Sequence, residues 1–172
     1  MGAAKRRIEG LIAAGLLAVV ACGTGPGAHR PTVNVSGFAF RTLDGGRISL
    51  AQLHGEIVVM HLFTTWSVAS QVDATRLQAL AARKHAGVVV LGVALDPDGP
   101  DLVGPWQRAM HVSYPIALAT AALRNGKSIL GRIRRVPTTL IVDRSGHVRR
   151  RIERQLKPQE LPRLVEAARR PR

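Results

Sequence analysis

Two apolar runs of strand length, separated by one helical stretch, constrain what this 172-residue chain can become. Ile57–Thr64 carries Val58, Val59, Met60, Leu62 and Phe63 with no polar alternation, and Val88–Ala94 repeats the pattern. A strand without a polar face must be covered on both sides, which is the habit of central strands in α/β sheets. Between the runs, Leu77, Leu80, Ala81 and Lys84 recur at helical spacing, with Arg83, Lys84 and His85 at the negative end and Gly87 as the stop. Strand, helix, strand in this order predicts a parallel, right-handed unit. Hydrophobic residues make up 46% of the chain, so a packed core is within reach and wholesale disorder is excluded.

The flanks extend the sheet. Phe38–Phe40 and Arg47–Leu50 enclose Asp44-Gly45-Gly46, a hairpin signal. Helices are expected at about Leu102–His111 and, shorter, at about Ala121–Leu130. Val136-Pro137-Thr138-Thr139-Leu140-Ile141-Val142 is a strand entered through proline, and Asp143–Gly146 turns it into a returning strand, Val148–Arg154. The last helix presents Leu161, Leu164, Val165 and Ala168 on one face. The predicted order is two strands, then strand–helix–strand–helix, then a hairpin and a helix.

The amino terminus has the features of an export signal. Lys5, Arg6 and Arg7 precede the apolar run Leu11–Ala21, which is too short for a membrane span of roughly 20 residues. The run ends Val19-Val20-Ala21-Cys22, and Cys22 is the sole cysteine. Its position resembles the lipobox of bacterial lipoproteins, in which that thiol carries a diacylglycerol. Glycine and proline from Gly23 to Pro31 then supply a flexible tether. The expected organisation is a lipoprotein signal peptide over 1–21, a tether over 22–33 and one domain over 34–172. The net charge is +14, and 15 basic against 4 acidic residues from Arg124 onward carry most of it.

In this setting the chain resembles the thioredoxin superfamily, in particular its membrane-anchored TlpA/ResA-like branch, related to the AhpC/TSA redoxins. The resemblance spans about Val33–Ala168. It rests on Phe63-Thr64-Thr65-Trp66-Ser67-Val68-Ala69-Ser70, on Val88–Asp96, and on Val136–Thr139 followed by Asp143–Gly146. It implies a thioredoxin-like three-layer α/β sandwich with an N-terminal β-hairpin extension. The family's segment ends Trp-Cys-x-x-Cys; here both cysteine positions, Ser67 and Ser70, are serine. A thiolate attacks a substrate disulfide and a second thiol resolves the mixed disulfide, and serine supports neither step. Peroxidatic chemistry, echoed in Thr64-x-x-Ser67, lacks its thiolate too.

The resemblance places Trp66 beside the altered pair, Asp73 where relatives carry an active-site glutamate, and Pro137 where they carry a cis-proline. That proline would offer the backbone of Val136 to an extended polypeptide by β-addition. Ser67 and Ser70 are also good helix caps, and Ser70-x-x-Asp73 has the form of a capping box. Val68-Ala69 and Thr75 replace prolines usual in the family.

Three functions follow as expectations. The first is a redox-silent, lipid-anchored module binding a polypeptide or envelope protein at Val136 and Pro137. The second is thiol–disulfide or antioxidant activity using thiols supplied by a partner. The third is a protein whose basic surface meets anionic lipid or an acidic partner, its groove vestigial. A Ser67–His61–Asp73 hydrolase lacks the Gly-x-Ser-x-Gly elbow. Six scattered histidines give no metal pattern, and neither a metal nor another cofactor is expected. Aromatics at 3%, with the export signal, argue against nucleic acid. Arg149–Arg151 are expected on an edge strand, where charge blocks aggregation. The expected location is the bacterial cell envelope, on the extracytoplasmic face.

Overall fold

The computed structural model describes residues 33–83 and 85–170. The expected signal segment, Cys22 and the tether up to residue 32 lie outside the described residues. Seven strands form one sheet: β1 (Ala39–Thr42), β2 (Arg47–Ser49), β3 (Ile57–Phe63), β4 (Val88–Ala94), β5 (Ile116–Leu118), β6 (Thr138–Val142) and β7 (Val148–Ile152). Four helices accompany them: α1 (Val68–Ala82), α2 (Pro100–Ala109), α3 (Ala121–Arg124) and α4 (Glu160–Arg169). The spatial order is β2-β1-β5-β4-β3-β6-β7. β3, β4 and β5 run parallel, and the other pairings are antiparallel.

The two unbroken apolar runs became the inner strands β3 and β4, and every residue of β3 is buried. Alternation along β3 splits the core in two. Ile57, Val59 and Phe63 face α1, α2 and α4 through Ala74, Leu77, Val103, Leu161 and Val165. Val58, Met60 and Leu62 face the other way, against Leu50, Leu123 and Leu130. Helices on both faces of the sheet supply the cover that the pattern predicted and make the three layers that the resemblance implied.

Two elements depart from the expectation. The helix expected over Ala121–Leu130 stops at Arg124, because Gly126 (φ 70) takes the left-handed position. The N–H groups of Gly126 and Lys127 then close onto the carbonyls of Leu123 and Ala122. β5 was not foreseen. It is three residues long, follows Pro115, and is held by β1 on one side and β4 on the other. A segment that short has no periodicity of its own; its neighbours make it a strand.

The sheet has two distinct ends. Phe63, Ala94 and the start of β6 share one, since Leu62 pairs Thr138 and Phe63 pairs Ala94. Ile57, Val88 and Val142 share the other, roughly 20 Å away along β3.

Candidate functional site at the carboxyl end of the central strand

β3 delivers the chain to Thr64–Ser67, and the register puts Pro137 directly beyond the same end of β6. The Val136–Pro137 peptide bond is cis, with Pro137 buried and Val136 half-buried. The topology therefore brings Trp66, Ser67 and the Val136–Pro137 step to one end of the sheet, although about 70 residues separate them in sequence.

Ser67 is the N-cap of α1, and its hydroxyl accepts the Ser70 N–H at 3.3 Å. Ser70 is not a cap. It stands on the first turn of α1 with no exposed surface, and its hydroxyl has no hydrogen-bond partner among the described residues. The capping box expected for Ser70 and Asp73 is absent for a tertiary reason. Asp73 accepts the Leu156 backbone N–H at 3.1 and 3.0 Å and pairs with Arg76 at 3.1 Å. Burial pushes the Asp73 carboxyl up, and the Leu156 N–H and the Arg76 guanidinium pull it back only in part. Arg76 also donates to the Leu156 carbonyl, so this carboxylate ties α1 to the segment before α4.

Two residues that sequence reasoning passed over hold the loop in front of α1. Asp96 is 2% exposed and accepts both the backbone N–H of Thr65, at 3.1 Å, and its hydroxyl, at 2.6 Å. Gln71 donates its side-chain amide to the Thr65 carbonyl at 3.0 Å. Pinned on both sides, Thr65 projects Trp66 into solvent, 71% exposed. Val68 and Val72, one helical turn apart, are also exposed, and with Trp66 they form an apolar strip over the start of α1. In sequence Asp96-Pro97-Asp98 was only a turn signal; its tie to Thr65 had no local sign.

His61 lies on the side of β3 that faces α1, α2 and α4, fully buried and stacked on Phe63 at 5.4 Å. Its cross-strand neighbours are Thr139 on β6 and Gly92 on β4. Neither imidazole nitrogen nor the Thr139 hydroxyl has a hydrogen-bond partner among the described residues. Burial pulls the His61 pKa down to about 4, with the nearby Ser70 backbone opposing it weakly, so the ring is neutral at ordinary pH. The Ser67–His61–Asp73 triad is therefore not assembled: each member is committed elsewhere or unpartnered. Among the described residues no group of three His, Cys, Asp or Glu side chains could hold a metal.

A seven-stranded sheet between helical layers, with a helix capped at the end of the central strand and a cis-proline alongside, defines a thioredoxin-like α/β protein. The AhpC/TSA family model matches residues 29–151, and the chain belongs to that family. Among solved structures it is similar to a thiol:disulfide interchange protein of the thioredoxin family from Chlorobium tepidum TLS. That likeness has 25% identity and a TM-score of 0.68, over 82% of this chain and 99% of that one. A secreted Mycobacterium tuberculosis disulfide oxidoreductase homologous to E. coli DsbE shares the fold at 16% identity and a TM-score of 0.61, over 77% and 95% of the two chains. StoA from Bacillus subtilis does so at 18% identity and 0.60, over 74% and 95%. No curated protein sequence matches the chain. No described helix is long and apolar enough to cross a membrane.

Proposed function

We propose that this protein is a redox-silent member of its family, anchored in the bacterial envelope through lipid on Cys22. In this reading it binds an extended polypeptide or envelope protein across Trp66, Val68 and the Val136–Pro137 step. One observation carries it: the family's reactive pole keeps an exposed apolar strip while its two serine hydroxyls serve no exchange chemistry. Ser67 caps the helix and Ser70 is sealed beneath it. Trp66 and Val68 are both more than 70% exposed, and large apolar groups presented in a strip commonly mark a binding surface. Serine forms no exchangeable linkage with sulfur, so a disulfide substrate would find no nucleophile here. Main-chain pairing with a peptide requires no sulfur at all.

The test is photo-crosslinking in the native envelope, with the probe at position 136, followed by mass spectrometry. A dominant protein adduct that disappears in Trp66→Ala is the expected result. Insulin reduction by the same chain, abolished by Ser67→Ala, would instead establish intrinsic redox turnover and overturn the reading.

A further inference from the structure

The opposite end of the sheet gathers several arginines around a concave surface. Between the β6–β7 turn and the last turn of α4 lies a hollow of about 490 Å³. Arg144, Arg149, Arg169, Arg170 and His147 line it, with Asp143 as its one carboxylate. Asp143 is turned to internal use. It accepts the backbone N–H groups of Ser145 and His147, each at 3.0 Å, and the Ser145 hydroxyl at 2.7 Å, and it meets Arg149 at 3.4 Å. Arg169 lies 3.4 Å from Glu166 and 3.4 Å from the Ala86 carbonyl. Arg144 and Arg170 are exposed and have no carboxylate partner among the described residues.

Arg149–Arg151 lie on β7, an edge strand of the sheet as expected, but they face different tasks. Of Arg149–Arg151, only Arg149 lines the hollow. Arg151 pairs with Glu153 and donates to the carbonyls of Leu130 and Arg132, bracing the loop before β6. Charge that looks continuous in sequence is thus divided between a structural brace and a concave site.

The hollow also adjoins the place where the chain enters the domain. The Val33 carbonyl accepts the Val148 N–H, Val35 donates to the Gly146 carbonyl, and Asn34 bridges to His147. Cys22 stands eleven positions before Val33. An anchor at Cys22, as proposed above, would join the chain ahead of Val33, on the side of the domain that carries the hollow.

We propose that the arginine-lined hollow beside Val33 seats the phosphate head groups of anionic phospholipid, turning the Trp66 end of the sheet away from the membrane. Guanidinium forks match phosphate oxygens in pairs, and the hollow offers two such forks, Arg144 and Arg170, besides those held by Asp143 and Glu166. The site does not depend on lipidation of Cys22, and it lies at the other end of the sheet from the polypeptide surface. Each of the two can therefore fail alone.

The experiment measures partition of the full chain between buffer and vesicles, of phosphatidylcholine alone or with phosphatidylglycerol. The readout is the ratio of the two affinities, in which the shared amino-terminal segment cancels. Arg144→Gln with Arg170→Gln should lower that ratio about thirtyfold, roughly fivefold for each arginine near an anionic surface. Arg134→Gln with Arg135→Gln removes equal charge from exposed positions at the far end and should leave the ratio unchanged. Equal losses in both double variants would reduce the effect to net charge and overturn the proposal. So would a wild-type chain indifferent to phosphatidylglycerol. Calorimetric binding of inorganic phosphate by a chain with no phosphatidylglycerol preference would reassign the hollow to free phosphate.

Discussion

Asp73, on the second turn of α1, receives the backbone N–H of Leu156 on both carboxylate oxygens, across 83 residues of sequence. The resemblance implied an active-site role for this position; in the fold it works as a latch, closed by Arg76 on both Asp73 and the Leu156 carbonyl. Asp73→Asn retains an acceptor for the Leu156 N–H and relieves a buried charge, so it should change stability by no more than about 1 kcal/mol. Asp73→Leu is of similar size but leaves that N–H unpaired in a dry site, and should cost about 1–3 kcal/mol. Urea unfolding of the two variants side by side measures the difference.

His61 makes the fold sensitive to mild acid. Unfolded, the imidazole takes up a proton near pH 6.5; folded, it resists until about pH 4. The native state therefore binds fewer protons across that window, and its stability falls as pH drops from 6.5 to 4. The loss amounts to about 3 kcal/mol. His61→Leu should flatten the urea midpoint over this range. Glu160, held down at about 2 by Arg154 and the Lys157 N–H, titrates mostly below the window and should not obscure the effect.

Two helices end in the same hydrogen-bonded motif with different residues at its left-handed position. After α3 that residue is Gly126; after α2 it is His111, at φ 52, with Val112 and His111 donating to the carbonyls of Gln107 and Arg108. A side chain there is strained by Cβ crowding, by about 1 kcal/mol. His111→Gly should raise the melting temperature by a few degrees, read by circular dichroism.

Restoring sulfur tests the geometry of the serine pair. Ser67 Oγ lies 3.3 Å from the Ser70 backbone nitrogen, so Ser67→Cys with Ser70→Cys should close to an intramolecular disulfide under mild oxidation. Free thiol at these two positions would fall to background. The single variant Ser67→Cys should alkylate with a midpoint below the free-cysteine value of about 8.5, because its thiolate would sit at a helix N-terminus. Failure of the double variant to oxidise would show that this helix start no longer holds the family's disulfide geometry.

The local chemistry of the sequence determined a good deal. The unalternating apolar runs specified β3 and β4, because a strand lacking a polar side is stable only under cover on both faces. Asp44-Gly45-Gly46 made the first hairpin, and Ser67 marked the start of α1. The sequence also places serine, Ser67 and Ser70, at both positions where the resemblance implies a cysteine pair. Tertiary structure decided the rest. β5 is a strand only because β1 and β4 flank it. Asp73 could cap its own helix or latch a distant loop, and the approach of Leu156 selected the latch. The basic tail became a brace around Arg151 and a hollow around Arg144 and Arg170. Those outcomes depend on partners far along the chain. A residue's type limits which bonds it can make, but the packed fold determines which partner comes within reach.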